Sequence, residues 1–154
     1  DLIHLNLRSN SFNKIKFKSD EKKSEKDVLD LKLKELEEKR NFDNDLLNKL
    51  VEKLSAIKKW GDLLKSWLVS GINTKSETVQ NELFKFNDFL EISENFDNLL
   101  RYELSFNEKR ISLENQIKLI NNNTKLFDKE IKVIKEQLNT LDTEINDLKI
   151  KCDQ

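Results

Sequence analysis

Between Leu113 and Cys152 the apolar positions recur in alternating steps of four and three. Leu113, Ile117, Ile120, Phe127, Ile131, Ile134, Leu138, Leu141, Ile145, Leu148 and Cys152 share one frame, with Thr124 holding its place in it. More than five heptads pass without a slip. That spacing predicts a coiled-coil seam, and a period of 3.5, below the helical 3.6, predicts a left-handed supercoil.

A second frame runs earlier in the chain. Ser24 and Asp27 suit a helix start, with an oxygen acceptor for the cap and acidic charge in the first turn. Leu29, Leu33 and Leu36 then step by four and three, and Leu47, Leu50, Leu54, Ile57, Leu64 and Leu68 continue the pattern. It falters at Arg40 and Asp43, where Phe42 and Leu46 carry the apolar face sideways. Upstream, Ile3, Leu5 and Leu7 alternate with polar residues, as do Ile15 and Phe17 with lysines. That is the period of a strand. Two short strands alone are marginal, so residues 1–25 are expected to form an extended basic arm on a partner, or an unpaired tail.

The first helix is expected to end at Gly71, placed for a left-handed cap. Thr74 with Glu77 three residues later reads as a capping box opening the next helix. Trp60, Leu63, Leu64 and Trp67 form one stripe on the last turns before this corner. The stripe reads either as a plug closing the hairpin end of a bundle or as a docking knob for a partner. Gly61, beside Trp60, is expected to let another backbone approach closely. Beyond Glu77, the broad face of Leu83, Phe86, Phe89, Leu90, Ile92, Phe96 and Leu99 suits a bundle of three or more helices. Asn121-Asn122-Asn123, all poor helix formers, marks a soft joint.

These readings define an all-α fold: an elongated helical hairpin or bundle running into a long C-terminal coiled coil, with an extended N-terminal arm. The expected boundaries are the arm at 1–25, a heptad helix at 26–70, a corner at 71–76, the bundle part of a second helix at 77–112, and a coiled coil at 113–154. At 1.5 Å per residue the first helix spans roughly 65 Å and the second roughly 115 Å. Residues 120–152 should then project as about 50 Å of helix with a bare seam. Such a seam needs a cover, either a second copy or other helical subunits. With Ile117 at an a position, Glu130 and Glu144 fall at g, and Lys135 and Lys149 at e, favourable pairs in a parallel homodimer. Each is worth at most about 1 kcal/mol, and Glu103 and Arg110 at a would face like charges. A hetero-oligomer is therefore expected.

Composition narrows the chemistry. Charged residues make up 37% and hydrophobic residues 36% of 154 positions, with no proline and a net charge of −1. That balance argues against duplex DNA as a whole-chain partner. Lys14, Lys16, Lys18, Lys22, Lys23 and Lys26, with Phe12 and Phe17 interleaved, could touch nucleic acid or an acidic partner, but Asp20, Glu21 and Glu25 dilute the run and a solvated arm explains it. His4 and Cys152 lie at opposite ends of the sequence, and two glycines cannot cradle a phosphate. No catalytic, cofactor, metal or small-molecule site is expected. Cys152 reads as a small buried hydrophobe, and a lone cysteine points to a reducing intracellular compartment. The glycan acceptor pattern Asn122-Asn123-Thr124 is discounted on that ground. No apolar run reaches membrane-spanning length and no signal peptide is legible, while Asp1 and the absence of methionine point to a piece of a longer protein. A membrane-bending dimer with a basic concave face is a rival reading. Lysines and acids alternate all round, which counts against it.

One order of features resembles a known family. A heptad helix enters Ala56-Ile57-Lys58-Lys59-Trp60-Gly61-Asp62-Leu63-Leu64-Lys65, followed by a break, Leu90-Glu91, Phe96-Asp97-Asn98-Leu99-Leu100 and a long coil. Over residues 30–110 this is similar to the Dsn-type (Mis-thirteen-like) subunit of the fungal MIND complex. The tryptophan-cysteine segment that precedes the coil in that family is absent here. The resemblance implies a non-enzymatic nuclear subunit of the kinetochore rod, linking inner centromere proteins to the microtubule-binding outer kinetochore. A looser similarity, at Leu64–Gly71 and Asn107-Glu108, is to small coiled-coil subunits of the THO mRNA-export complex, so a subunit of an RNA-export or other tethering complex is the alternative.

Overall fold

A computed structural model describes residues 2–72 and 76–153. It contains three helices and, among the described residues, no strand: α1 (Leu2–Ser70), α2 (Glu77–Leu90) and α3 (Leu99–Asp153). The all-α architecture expected from the periodicity is present. The chain divides into two compact units, one made of Asp1–Phe42 with Thr124–Gln154 and the other of Asp43–Asn123.

In the first unit α1 and α3 run antiparallel. Lys22 pairs with Glu144, Lys26 with Asp142, Glu37 with Lys135 and Arg40 with Asp128, so numbers rising on one helix meet numbers falling on the other. Leu36, Ile131, Ile134 and Leu138 are buried between the helices, with Leu29, Leu33 and Phe127 packed against them. Two expectations are corrected here. The expected arm at 1–25 is not extended over its described residues 2–25, because α1 is helical from Leu2. Counting back from Leu29, the seam frame continues through Lys26, Lys22, Ser19 and Ile15, all buried or half-buried. A strand needs a neighbour to complete its hydrogen bonds, whereas a helix completes its own and lets Lys22 and Lys26 reach carboxylates on α3. Consequently the α3 seam does not project bare, since this stretch of α1 covers it. Nor does the frame turn sideways at Arg40. That residue stays in the seam, its Nε 2.7 Å from Asp128 Oδ1, and Phe42 is left outside at 68% exposure.

The second unit is a three-helix bundle of α1 residues 43–70, α2, and α3 residues 99–123. Its core joins Ile57 and Leu64 of α1, Val79, Leu83, Phe86 and Leu90 of α2, and Leu99, Tyr102 and Phe106 of α3. The corner at Gly71 is as expected, with φ at 66°. The Gly71 amide donates to the Leu68 carbonyl at 3.3 Å and the Ile72 amide to the Trp67 carbonyl at 3.1 Å, which completes a Schellman cap. Of the expected capping box, Thr74 lies outside the described residues. Ser76 is the N-cap and makes no side-chain cap bond, so Glu77 is the first helical residue and not the third.

The expected unbroken second helix is split. Glu91 takes the left-handed conformation at φ 57° and ψ 39°, and its amide and that of Ile92 close a second Schellman cap on Asp88 and Asn87. Asn98 then starts α3, its Oδ1 accepting from the Arg101 amide at 2.9 Å. The intervening loop folds Ile92 and Phe96 against the bundle core. The steps from Ile92 to Phe96 to Leu99 imitate a helical frame because a loop brings them to the same core.

Candidate partner-binding surfaces

The residues expected to bind partners are mostly committed within the chain. Leu113 belongs to the second unit and is 1% exposed, with Ile117 and Ile120 half-buried there. In the first unit Ile131, Ile134, Leu138 and Leu141 are buried, and Phe127, Ile145 and Leu148 are half-buried. The flanking charges are committed as well: Glu144 and Lys135, read as pairing across a parallel homodimer, meet Lys22 and Glu37 of the same chain. Holding these cations beside carboxylates raises two lysines above their ordinary value of 10.5. For Lys22 the leading cause is its hydrogen bond to Glu144, and for Lys26 the bond to Asp142.

The tryptophan stripe packs on the bundle core. Trp60 meets Phe86 edge to face at 4.7 Å and Phe89 at 5.8 Å, and the ring series continues from Phe86 to Phe106, Tyr102 and Phe96. Leu64 is fully buried and Trp67 packs beside it, so of the four only Leu63 faces outward. Trp60, Leu64 and Trp67 therefore pack into this part of the bundle, and Leu63 stays exposed. The closeness expected at Gly61 is also corrected, because a Cβ there would meet nothing within 4 Å. Instead a cavity of about 120 Å³ lies beside it, lined in part by Ile57 and Phe106.

What remains open lies off the seams. In the first unit a groove of about 930 Å³ runs along one flank of the helix pair. Val28, Leu29, Val133 and Leu141 supply its apolar surface and Glu21, Glu25, Glu136 and Glu144 its acids, with Lys22, paired to Glu144, also lining it. It meets a smaller groove of about 570 Å³ along Lys14, Phe17 and Lys18, and Glu21 lines both. In the second unit Leu100, Leu104 and Ile111 share the outward face of α3 and are each more than half exposed. A heptad search passes over these residues because Val28, Phe17, Val133, Leu100, Leu104 and Ile111 all fall outside the seam frame. Their signal is an apolar residue off-frame on a helix whose in-frame positions are already filled.

Among the described residues no cluster of His, Cys, Asp and Glu is placed to hold a metal ion, and no helix is long and apolar enough to cross a membrane. Comparison with protein-family models, curated proteins and solved structures finds no match for this chain.

Proposed function

We propose that the chain is a non-enzymatic scaffold subunit of a multi-chain helical assembly. The observation that carries this is the set of large apolar side chains outside the internal seams, with Leu100, Leu104 and Ile111 on one face of α3 at 57%, 57% and 51% exposure. Three such residues over three helical turns form the kind of surface that another helix covers. The narrower reading is a nuclear kinetochore rod subunit working with other helical proteins, and it rests on the Dsn-type resemblance. Of the residues that carry the resemblance, Leu63 and Leu100 are exposed, while Leu64, Leu90 and Leu99 lie in the core of the three-helix bundle and Trp60 and Phe96 pack against it. Such a family would need its fold kept by those positions.

The test is a tagged chain at native level in its source cells, followed by microscopy and purification. Paired foci at centromeres in dividing cells, with a stoichiometric set of helical subunits, are expected. Foci or partners belonging to mRNA export would overturn the kinetochore reading and keep the scaffold. A chain purified alone, diffuse in the cell, would overturn both.

A further inference from the structure

Four charged residues stand in one row on α1: Lys14, Lys18, Glu21 and Glu25, spaced by four, three and four. That spacing puts them on one face of the helix. All four are exposed. The cross-helix ion pairs of this unit use other residues, Lys22, Lys26, Glu37 and Arg40 on the α1 side. Beside the row lie Phe17 at 70% and Val28 at 67% exposure. The two grooves that meet at Glu21 follow the same face.

The order of signs is basic, basic, acidic, acidic. A face with that order is complementary to itself when turned end for end. We infer that a second copy of this chain docks antiparallel along this face, with a two-fold axis between Ser19 and Asp20. Lys14 then stands opposite Glu25 of the second copy and Lys18 opposite its Glu21, and symmetry repeats both pairs. Phe17 and Val28 of each copy are covered at the same time. A parallel arrangement in register, the one a parallel two-fold dimer adopts, brings like charges together at every position of the same row.

The chain itself supplies the argument for a second copy over a foreign helix. From Leu2 to Ser19 there is no acidic residue, while Arg8, Lys14, Lys16 and Lys18 are basic and Leu7 and Phe12 stand exposed. This stretch is a basic apolar helix, the occupant that the acid-lined groove selects, and it lies directly upstream of that groove. A second copy matches both halves of the face at once; an unrelated basic helix leaves Lys14 and Lys18 unmatched. The pairing is independent of whatever covers Leu100, Leu104 and Ile111 in the other unit.

Charge swapping on the full chain tests this, with mass measured by light scattering across a concentration series. The wild-type chain is expected at twice 18.3 kDa, with a dimer that weakens as salt rises. Reversing one half, Lys14→Glu with Lys18→Glu, or Glu21→Lys with Glu25→Lys, should weaken self-association by about 10- to 100-fold. Circular dichroism checks that each variant keeps its helicity. Mixing the two variants should give a heterodimer, and the fourfold swap should restore the homodimer. Three results would overturn the inference: a wild-type monomer at every concentration, even one that binds an added lysine-rich helix; a dimer indifferent to charge reversal; or a fourfold swap that stays monomeric while fully helical.

Discussion

Lys22 Nζ lies 2.6 Å from Glu144 Oε2, joining the twenty-second residue to the last turns of α3. One turn along, Lys26 Nζ lies 2.7 Å from Asp142 Oδ1. Both lysines occupy seam positions where leucine is the usual occupant. Both are half-buried, and their ammonium groups reach carboxylates on α3. These contacts turn a strand-patterned stretch of sequence into part of the helix pair.

Alkaline pH should loosen this end first. The folded-state pKa of Lys22 and of Lys26 is raised above 10.5, chiefly by the hydrogen bonds to Glu144 and Asp142. A raised lysine pKa gives stability that is fully present below the unfolded value and is lost as pH rises through the folded one. Melting of the wild-type chain should therefore fall from about pH 10.5 upward by more than that of a Lys22→Met, Lys26→Met double variant. Equal slopes in thermal melts between pH 9 and pH 12 would show that the pairs contribute nothing to folding.

Leu90 is the most enclosed side chain of the bundle core, at 0% exposure. Leu90→Ala should cost about 2–5 kcal/mol in urea unfolding, from lost transfer energy and the cavity left behind. Leu100→Ala, at a residue 57% exposed, should stay within about 0.5 kcal/mol of the wild type. Similar losses for both would mean that α3 faces the bundle with the opposite side.

Gly61→Ala should stabilise the chain. Gly61 is interior to α1 and a Cβ there has open space, so helix propensity alone decides the sign. A gain of about 1 kcal/mol is expected. A loss in the same denaturation experiment would place another group against this position.

Glu91→Gly should also stabilise. Glu91 carries a left-handed backbone at φ 57°, which costs an L side chain about 1 kcal/mol and glycine almost nothing. Its ion pair with Lys53 is long, at 3.7 Å, and 80% exposed on the Glu91 side, so losing it offsets little. Glu91→Val should move the midpoint the other way. A rise with valine would contradict the cap geometry.

The ways in which the sequence misleads are physical and can be traced to particular residues. At Ser19, Lys22 and Lys26 the helical frame continues, but polar residues occupy it. A hydrophobic pattern therefore goes silent, and the alternation of Ile3, Leu5 and Leu7 is the louder signal. At Glu91 the chain turns left-handed without the glycine that usually announces such a turn. Asn98 was a legible cap, masked by the helix-like spacing of Phe96 and Leu99 around it. The open flank of the first unit, with Val28 and Val133, was invisible for another reason. Whether an off-frame apolar residue is covered depends on how many helices surround it, and spacing along one helix does not carry that number.

The sequence alone determined what is local: that the chain is helical, that Leu113 to Cys152 keeps one seam in register, and that Gly71 ends the first helix. Helical period and left-handed caps arise from backbone sterics within a few residues, so a few residues suffice to read them. Only the tertiary structure decided which helix covers that seam and where its cations find their carboxylates. Lys22 and Lys26, half-buried at the seam, find Glu144 and Asp142 across it, some 120 positions away in the chain. That is a relation between distant residues, and it exists only once the two helices have met.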